Sequence, residues 1–465
     1  MLNSRLVNQT FKLTRLADVA QVLLKPGGSN LIIRFMRGVS GNLVFTLFNQ
    51  GSTVAANVLL ANILGRAVYG RYAIILGTIQ SFAGLAGLGM GYTATRYLAE
   101  YRERNRQRAE EIIGLCLTTS VLAGALFGLG LFAAADPIAT NGLHAPELAP
   151  MLRTASAAIA LAAVSGNLVG MLVGLERFRE LGWAGVASGL LYLALIVGAG
   201  FAWGLQGAVI GLVASGAAQC VILGIEVRKA IRAAGLRSRF RGFVAERAIF
   251  GRWVIPGILS GLTAVPALWL AQIALTRSAG FGEVARYSAA YNLIAMVLFL
   301  PSIAAGVGMS MINAARGERD VRRYRELFWL NFRFTMFAVF VAAISMAVLG
   351  RPLLSLYGRD FTPAYPALLV LLAATLVEAC TYAFTQVLQS NERIWVSVFA
   401  VNVPRDLTIA GLAFLLAPTY GAVGVAFAYL AGRTIACVSV AALAYRIGLG
   451  LGPNATAGDQ TLVQA

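Results

Sequence analysis

The chain has 465 residues, 58% of them hydrophobic and only 12% charged, with a mean hydropathy of +0.73. This excludes an ordinary soluble domain and marks a polytopic membrane protein. Its formal charge of +18 would suit nucleic acid if gathered on one surface, but Lys and Arg fall in short clusters between apolar segments, which is a topology signal.

Residues 1–38 are basic, with Leu6, Phe11, Leu16, Val19, Val22 and Leu23 interspersed with Arg5, Lys12 and Arg15. They read either as a helix lying in the headgroup region, ended by Pro26 to Ser29, or as a loosely ordered tail. No uninterrupted apolar core with a small-residue cleavage site occurs there, so the first span is expected to serve as the insertion signal. Apolar segments of about 20 residues, the length a bilayer requires, lie near 39–64, 73–93, 112–135, 149–175, 183–203, 207–229, 253–276, 286–309, 327–350, 364–390, 395–418 and 421–446. The fold class expected is therefore all-α, with about twelve transmembrane helices.

Alternate connections carry 28 Lys and Arg on one side against six on the other (Arg66, Arg71, Arg277, Arg286, Arg351, Arg359). The positive-inside rule then places both termini in the cytoplasm. The loop Asp136 to Pro150, which has no Lys or Arg and holds the sole histidine, His144, falls on the outer side.

The chain also repeats. Gly70-Arg71-Tyr72 matches Ala285-Arg286-Tyr287, Glu110-Glu111-Ile112 matches Arg325-Glu326-Leu327, Gly174 to Phe178 matches Ser390 to Ile394, and Gln206 to Val209 matches Tyr420 to Val423, at offsets of 215, 215, 216 and 214. Two homologous six-helix halves, 39–229 and 253–446, are expected, joined by a basic cytoplasmic linker over 230–252 and followed by a polar tail over 447–465. An even number of spans per half gives both the same orientation, an arrangement that in transporters puts the substrate path between the halves. Glycines at four-residue spacing, such as Gly124 with Gly128 and Gly185 with Gly189, suit close helix packing within each half.

No Gly-rich loop ends in Lys-Ser or Lys-Thr, and one histidine with four scattered cysteines (Cys116, Cys220, Cys380, Cys437) makes neither a zinc site nor a disulfide framework. An enzyme is not expected, nor a cofactor; what remains is transport, with H⁺ or Na⁺ coupling an open option.

Polar residues within spans are the candidate site. Asn42, Thr46, Asn49, Thr53 and Asn57 share one face of the first span, as interhelical glue or as the lining of a hydrated cavity. Glu378, Tyr382, Gln386 and Gln389 share a face of the tenth, where the acid could take a proton, bind a cation or neutralise an arginine. Arg405 and Asp406 follow Pro404, which should kink the eleventh span. The two diverge by about 100°, so the preferred pair is Asp406 with Arg433 across the hairpin, leaving Arg405 for substrate. A closed network of Glu378, Arg405, Asp406 and Arg433 that only fixes packing is the competing reading. One repeat earlier the counterparts of Glu378, Arg405 and Asp406 are Ala163, Leu190 and Leu191, so shared packing does not need these charges. Arg153 and Arg333, a few residues inside spans, either face a cavity or snorkel.

The two halves, the segment Leu64 to Tyr72 after the first span, the Gly358-Arg359-Asp360-Phe361 segment and the Gly-Ala-Val-Gly start of the twelfth span together resemble polysaccharide and O-antigen flippases of the Wzx type. These form the polysaccharide transporter branch of the multidrug/oligosaccharidyl-lipid/polysaccharide (MOP) exporter superfamily. The likeness runs from about Arg34 to Arg446. It implies an alternating-access protein of the bacterial inner membrane that moves an undecaprenyl-pyrophosphate-linked oligosaccharide to the outer leaflet. Polymerase or chain-length proteins of the same pathway would be partners, with membrane lipids around the protein and no nucleic acid. Arg405, Arg433, Arg333 and Arg153, with Asn42, Asn49, Asn57, Gln386 and Gln389, are the expected cavity residues; Glu378 and Asp406 serve ion coupling or charge pairing. The mid-membrane charges nearly cancel, which departs from the strongly cationic cavity of such flippases. The alternatives are an ion-coupled multidrug exporter, against which the absence of Asp and Glu from the seventh span counts, and a non-transporting scaffold of a glycan-assembly complex.

Overall fold

A computed structural model describes residues 28–87, 89–236, 255–298, 321–390 and 394–446. The expected interfacial segment up to residue 27, most of the basic linker, the second half of the 286–309 span and the polar tail lie outside the described residues. So do the side chains of Asn42 and Gln389.

The described chain is helical throughout: α1 (Gly28–Ala86), α2 (Met90–Arg104), α3 (Arg106–Pro137), α4 (Ala149–Gly174), α5 (Phe178–Ala233), α6 (Ile255–Ala279), α7 (281–298), α8 (Val321–Leu356), α9 (Tyr365–Ser390), α10 (Ile394–Ser397) and α11 (Val403–Ala444). Among the described residues seven helical segments are long and apolar enough to cross a membrane. Three of them are too long for a single crossing: at 1.5 Å per residue, α5 alone would extend about 84 Å against a hydrocarbon core of about 30 Å.

Glycine resolves the excess. Gly65 breaks α1 at φ 73°, Gly204 breaks α5 at φ 60° and ψ −137°, and Gly421 breaks α11 at φ 54° and ψ −132°. A side chain would strain each position, so these are turns between two limbs, not bends within one span. Gly280 makes the same left-handed turn, φ 80°, between α6 and α7. Gly65 and Gly280 are 215 residues apart, and Gly204 and Gly421 are 217 apart, so the turn geometry recurs within three residues of the offsets of the sequence matches.

The expected span over 73–93 is corrected by a break. Helix α1 ends at Ala86, Gly89 turns left-handed at φ 66°, and α2 starts at Met90. Helix α2 packs on α4, where Gly91 meets the Gly166 carbonyl and Thr95 donates to the Gly170 carbonyl at 3.1 Å. The other spaced glycines act as expected. Gly124 lies against Ala160, and Gly185 and Gly189 of α5 lie against Phe45 and Phe48 of α1, contacts that a Cβ would prevent. Leu122, Leu126, Leu129 and Phe132 on α3, with Phe334, Phe337, Phe340 and Val348 on α8, turn outward. That apolar surface is lipid-facing for a helix in a bilayer.

Candidate functional site

Glu378, Arg405, Asp406 and Arg433 form two closed pairs. Arg433, on the second limb of α11, reaches Glu378 of α9 at 2.9 Å, and the two side chains are 15% and 4% exposed. Tyr429, one turn before Arg433, closes a triangle: its hydroxyl donates to Glu378 Oε2 at 2.8 Å and accepts from Arg433 Nη2 at 2.7 Å. Tyr291 meets Tyr429 edge-on and stacks with Tyr287. Arg433 Nε stays buried with no partner.

The preferred pairing of Asp406 with Arg433 is overturned. Arg405 pairs with its own neighbour, Nε to Oδ1 at 2.7 Å and Nη2 to Oδ2 at 3.0 Å. Divergence of the two Cβ atoms does not forbid this, because the long arginine stem curls back and offers its fork to both carboxylate oxygens. At Pro404, where a kink was expected, the chain carries a local change of helix type. The proline's missing N–H and its ring crowd the preceding turn, and the chain answers with a π-helical turn over Val398–Asn402. Gly432 then lets the two limbs of α11 touch, with the Arg405 carbonyl 2.8 Å from where a Cβ would be. Arg405 and Arg433 are thus near neighbours that use different acids.

The remaining candidates scatter. Arg153 pairs with Asp136 at the end of the bundle, half-exposed. Arg333 is exposed and, at helical spacing, shares the face of α8 that carries Phe337 and Phe340, so it snorkels from a lipid-facing stripe. The polar stripe of the first span turns into its own half: Asn49 accepts from Gln219 of α5 at 3.3 Å, Thr53 bonds back to the Asn49 carbonyl, and Asn57 is buried with its Nδ2 unpartnered. Gln386 accepts from Asn331 of α8 at 3.3 Å. The four cysteines are free thiols.

A second feature, a seam, joins residues 28–236 to residues 255–446. Asn62 donates to the Leu356 carbonyl at 2.6 Å, Asn292 donates to Tyr69 at 3.4 Å, and Arg277 donates to the carbonyls of Gly142 and Asn141. Tyr69 packs edge-on against Tyr357 and Phe361. Deeper in, the Trp269 indole donates to Thr78 at 2.9 Å and meets Phe82 edge-on. From Gly70, which abuts the Phe281 carbonyl, to Phe82 is about 18 Å along a helix. These contacts between the two parts lie together in this zone, so the seam is closed at this end. That end carries the connections 65–72, 136–148, 277–286 and 357–364 and the end of α8, and several arginines there have local partners. Arg71 pairs with Glu147 and lies over Phe281, Arg286 pairs with Glu283, and Arg351 lies over Tyr365.

Sequence reasoning missed Tyr429 and the seam. The i, i+4 spacing that puts Tyr429 on the face of Arg433, and Tyr287 on that of Tyr291, was available; the seam pairs residues up to 294 positions apart, for which periodicity gives no signal.

Two helical lobes joined along this seam are an all-α membrane fold of the kind solved for MATE proteins. The solved structures agree. An inward-facing multidrug resistance MATE family transporter of the MOP superfamily matches with a TM-score of 0.68 at 18% identity, covering 87% of this chain and 95% of that one. An outward-facing form matches with a TM-score of 0.67 at 18% identity, covering 90% and 96%. A MOP superfamily transporter from Pyrococcus furiosus, described by the reversed polarity of its binding pocket, matches with a TM-score of 0.65 at 18% identity, covering 89% and 94%. None of the curated proteins matches. The family described as "Polysaccharide biosynthesis protein" matches residues 35–307, more than half of the chain, and the protein belongs to that family.

Proposed function

We propose that this protein flips a lipid-linked oligosaccharide, carried on undecaprenyl pyrophosphate, from the cytoplasmic to the outer leaflet for surface polysaccharide synthesis. The twelve-span topology with cytoplasmic termini belongs to this reading. The observation that carries it is the seam closed at the end of Asn62, Tyr69 and Leu356. The closed end holds the arginine-poor connections, which the positive-inside rule puts outside, so the parting of the halves faces the cytoplasm, where such lipids are assembled. Membership of a polysaccharide biosynthesis family supplies the class of cargo.

Arg405 and Arg433 remain the cations proposed to attend the pyrophosphate or acidic sugars, since guanidinium binds phosphate oxygens through two donors. To do so they must exchange Asp406 and Glu378 for the substrate. Asn49, Asn57 and Gln386 are proposed to act through helix packing, and Arg153 and Arg333 at the membrane surface. The fold likeness to multidrug exporters favours a drug as cargo only if an acid is free to bind the coupling ion; Glu378, already neutralised by Arg433, supports the glycan reading instead.

In a deletion strain, lipid-linked repeat units should accumulate with their glycan facing the cytoplasm. Normal surface glycan together with increased drug sensitivity would contradict the proposal.

A further inference from the structure

The closed seam contains a polar side chain whose burial opposes closure. Gln272 lies one turn beyond Trp269 on α6, and its carboxamide rests on the bare backbone of Gly77 in α1, where any Cβ would run into Oε1. That oxygen is buried and accepts no hydrogen bond. Three other seam side chains are satisfied, Trp269 by Thr78, Asn62 by the Leu356 carbonyl and Arg277 by two carbonyls, while Arg71 Nε shares with Gln272 a buried position without a partner.

A buried acceptor with no donor forfeits its hydration, whereas the same group regains it when water reaches it. Separation of α1 from α6 would expose the Gln272 carboxamide to the transport path, while the aromatic contacts of Tyr69 and Trp269 would be lost. The two effects oppose each other, as a seam that must both seal and part requires. Glycine at 77 is the complement, because only a residue without a side chain admits the carboxamide at all.

We infer that Gln272 is a positioning residue that limits the lifetime of the closed seam, its side-chain oxygen being satisfied only when the seam parts. The inference rests on the alternating-access part of the reading above and not on the identity of the cargo.

The test uses the full-length protein in lipid nanodiscs with Cys116, Cys220, Cys380 and Cys437 replaced by alanine. Dyes are placed at Thr140→Cys and Arg359→Cys, two exposed positions on the closed end, and closed-state dwell times are read by single-molecule energy transfer without substrate. Gln272→Leu and the more conservative Gln272→Met should each lengthen the closed dwell, Leu by about tenfold, the equivalent of about 1.4 kcal/mol. Gly77→Ala should shorten it by wedging the seam, and adding Gln272→Ala to Gly77→Ala should restore it. An unchanged or shortened dwell in both Leu and Met variants, or no recovery in the double variant, would overturn the inference. Failure of the glycan assignment would leave these dwell times untouched, so the two readings fail separately.

Discussion

Glu378 and Arg433 are both withdrawn from water, so each is tolerable only while the other is present. Breaking a buried pair by removing one partner typically costs about 3–5 kcal/mol, whereas replacing both with apolar groups of similar size is often near neutral. Glu378→Leu alone should therefore lower the thermal unfolding temperature of the detergent-solubilised protein sharply, and Glu378→Leu with Arg433→Met should recover most of the loss. Additive losses in the double variant would contradict the pairing. For Arg405 and Asp406, which share a bidentate contact, single changes confuse packing with function. The informative variant removes both charges as Arg405→Ala with Asp406→Ala. It should accumulate to the normal level yet lose glycan export in cells, and retained export would show that Arg405 does not meet the cargo. That these residues are site candidates was legible from their charge within apolar segments. Which acid each arginine uses was not, since pairing depends on how far a long side chain can curl and not on the helical angle of its Cβ.

At the level of helices, the period and length of the apolar segments carried most of the information. Spans 3, 4 and 10 fall where apolar runs of 24 to 27 residues put them; Gly421 turns where its Gly-Ala-Val segment begins, and Gly204 turns three residues before the matching segment at Gly207. The break at Gly87 and Gly89 was hidden, because glycine in an apolar run fits a packed helix as well as a turn. Glycines also divide by what faces them. Gly432 lies 2.8 Å from the Arg405 carbonyl once a Cβ is added, whereas Gly411, on the first limb of the same helix, has nothing within 4 Å. Gly432→Ala should therefore cost about 1–3 kcal/mol through overpacking, while Gly411→Ala should be neutral or gain up to about 1 kcal/mol from helix propensity. Thermal unfolding followed by tryptophan fluorescence distinguishes the two, and equal effects would mean that the limbs of α11 do not touch at Gly432.

For the whole molecule, the chain belongs to a polysaccharide biosynthesis family and has a MATE-like fold, and its two parts meet along a seam that is closed at the end holding Asn62 and Leu356. The repeat was legible in the sequence, and the Lys and Arg asymmetry carries the orientation proposed above. The sequence could not reveal which end is shut, since that depends on contacts such as Asn62 with Leu356 and Trp269 with Thr78, made between segments unrelated by any period. The most direct test of the proposed function is translocation by the purified protein in proteoliposomes, with a fluorescent oligosaccharide on undecaprenyl pyrophosphate quenched from outside the vesicle. Protein-dependent movement of the glycan across the bilayer, lost in the Arg405→Ala and Asp406→Ala double variant, is the predicted result. A folded wild-type protein that leaves the lipid-linked glycan in its starting leaflet would contradict the account.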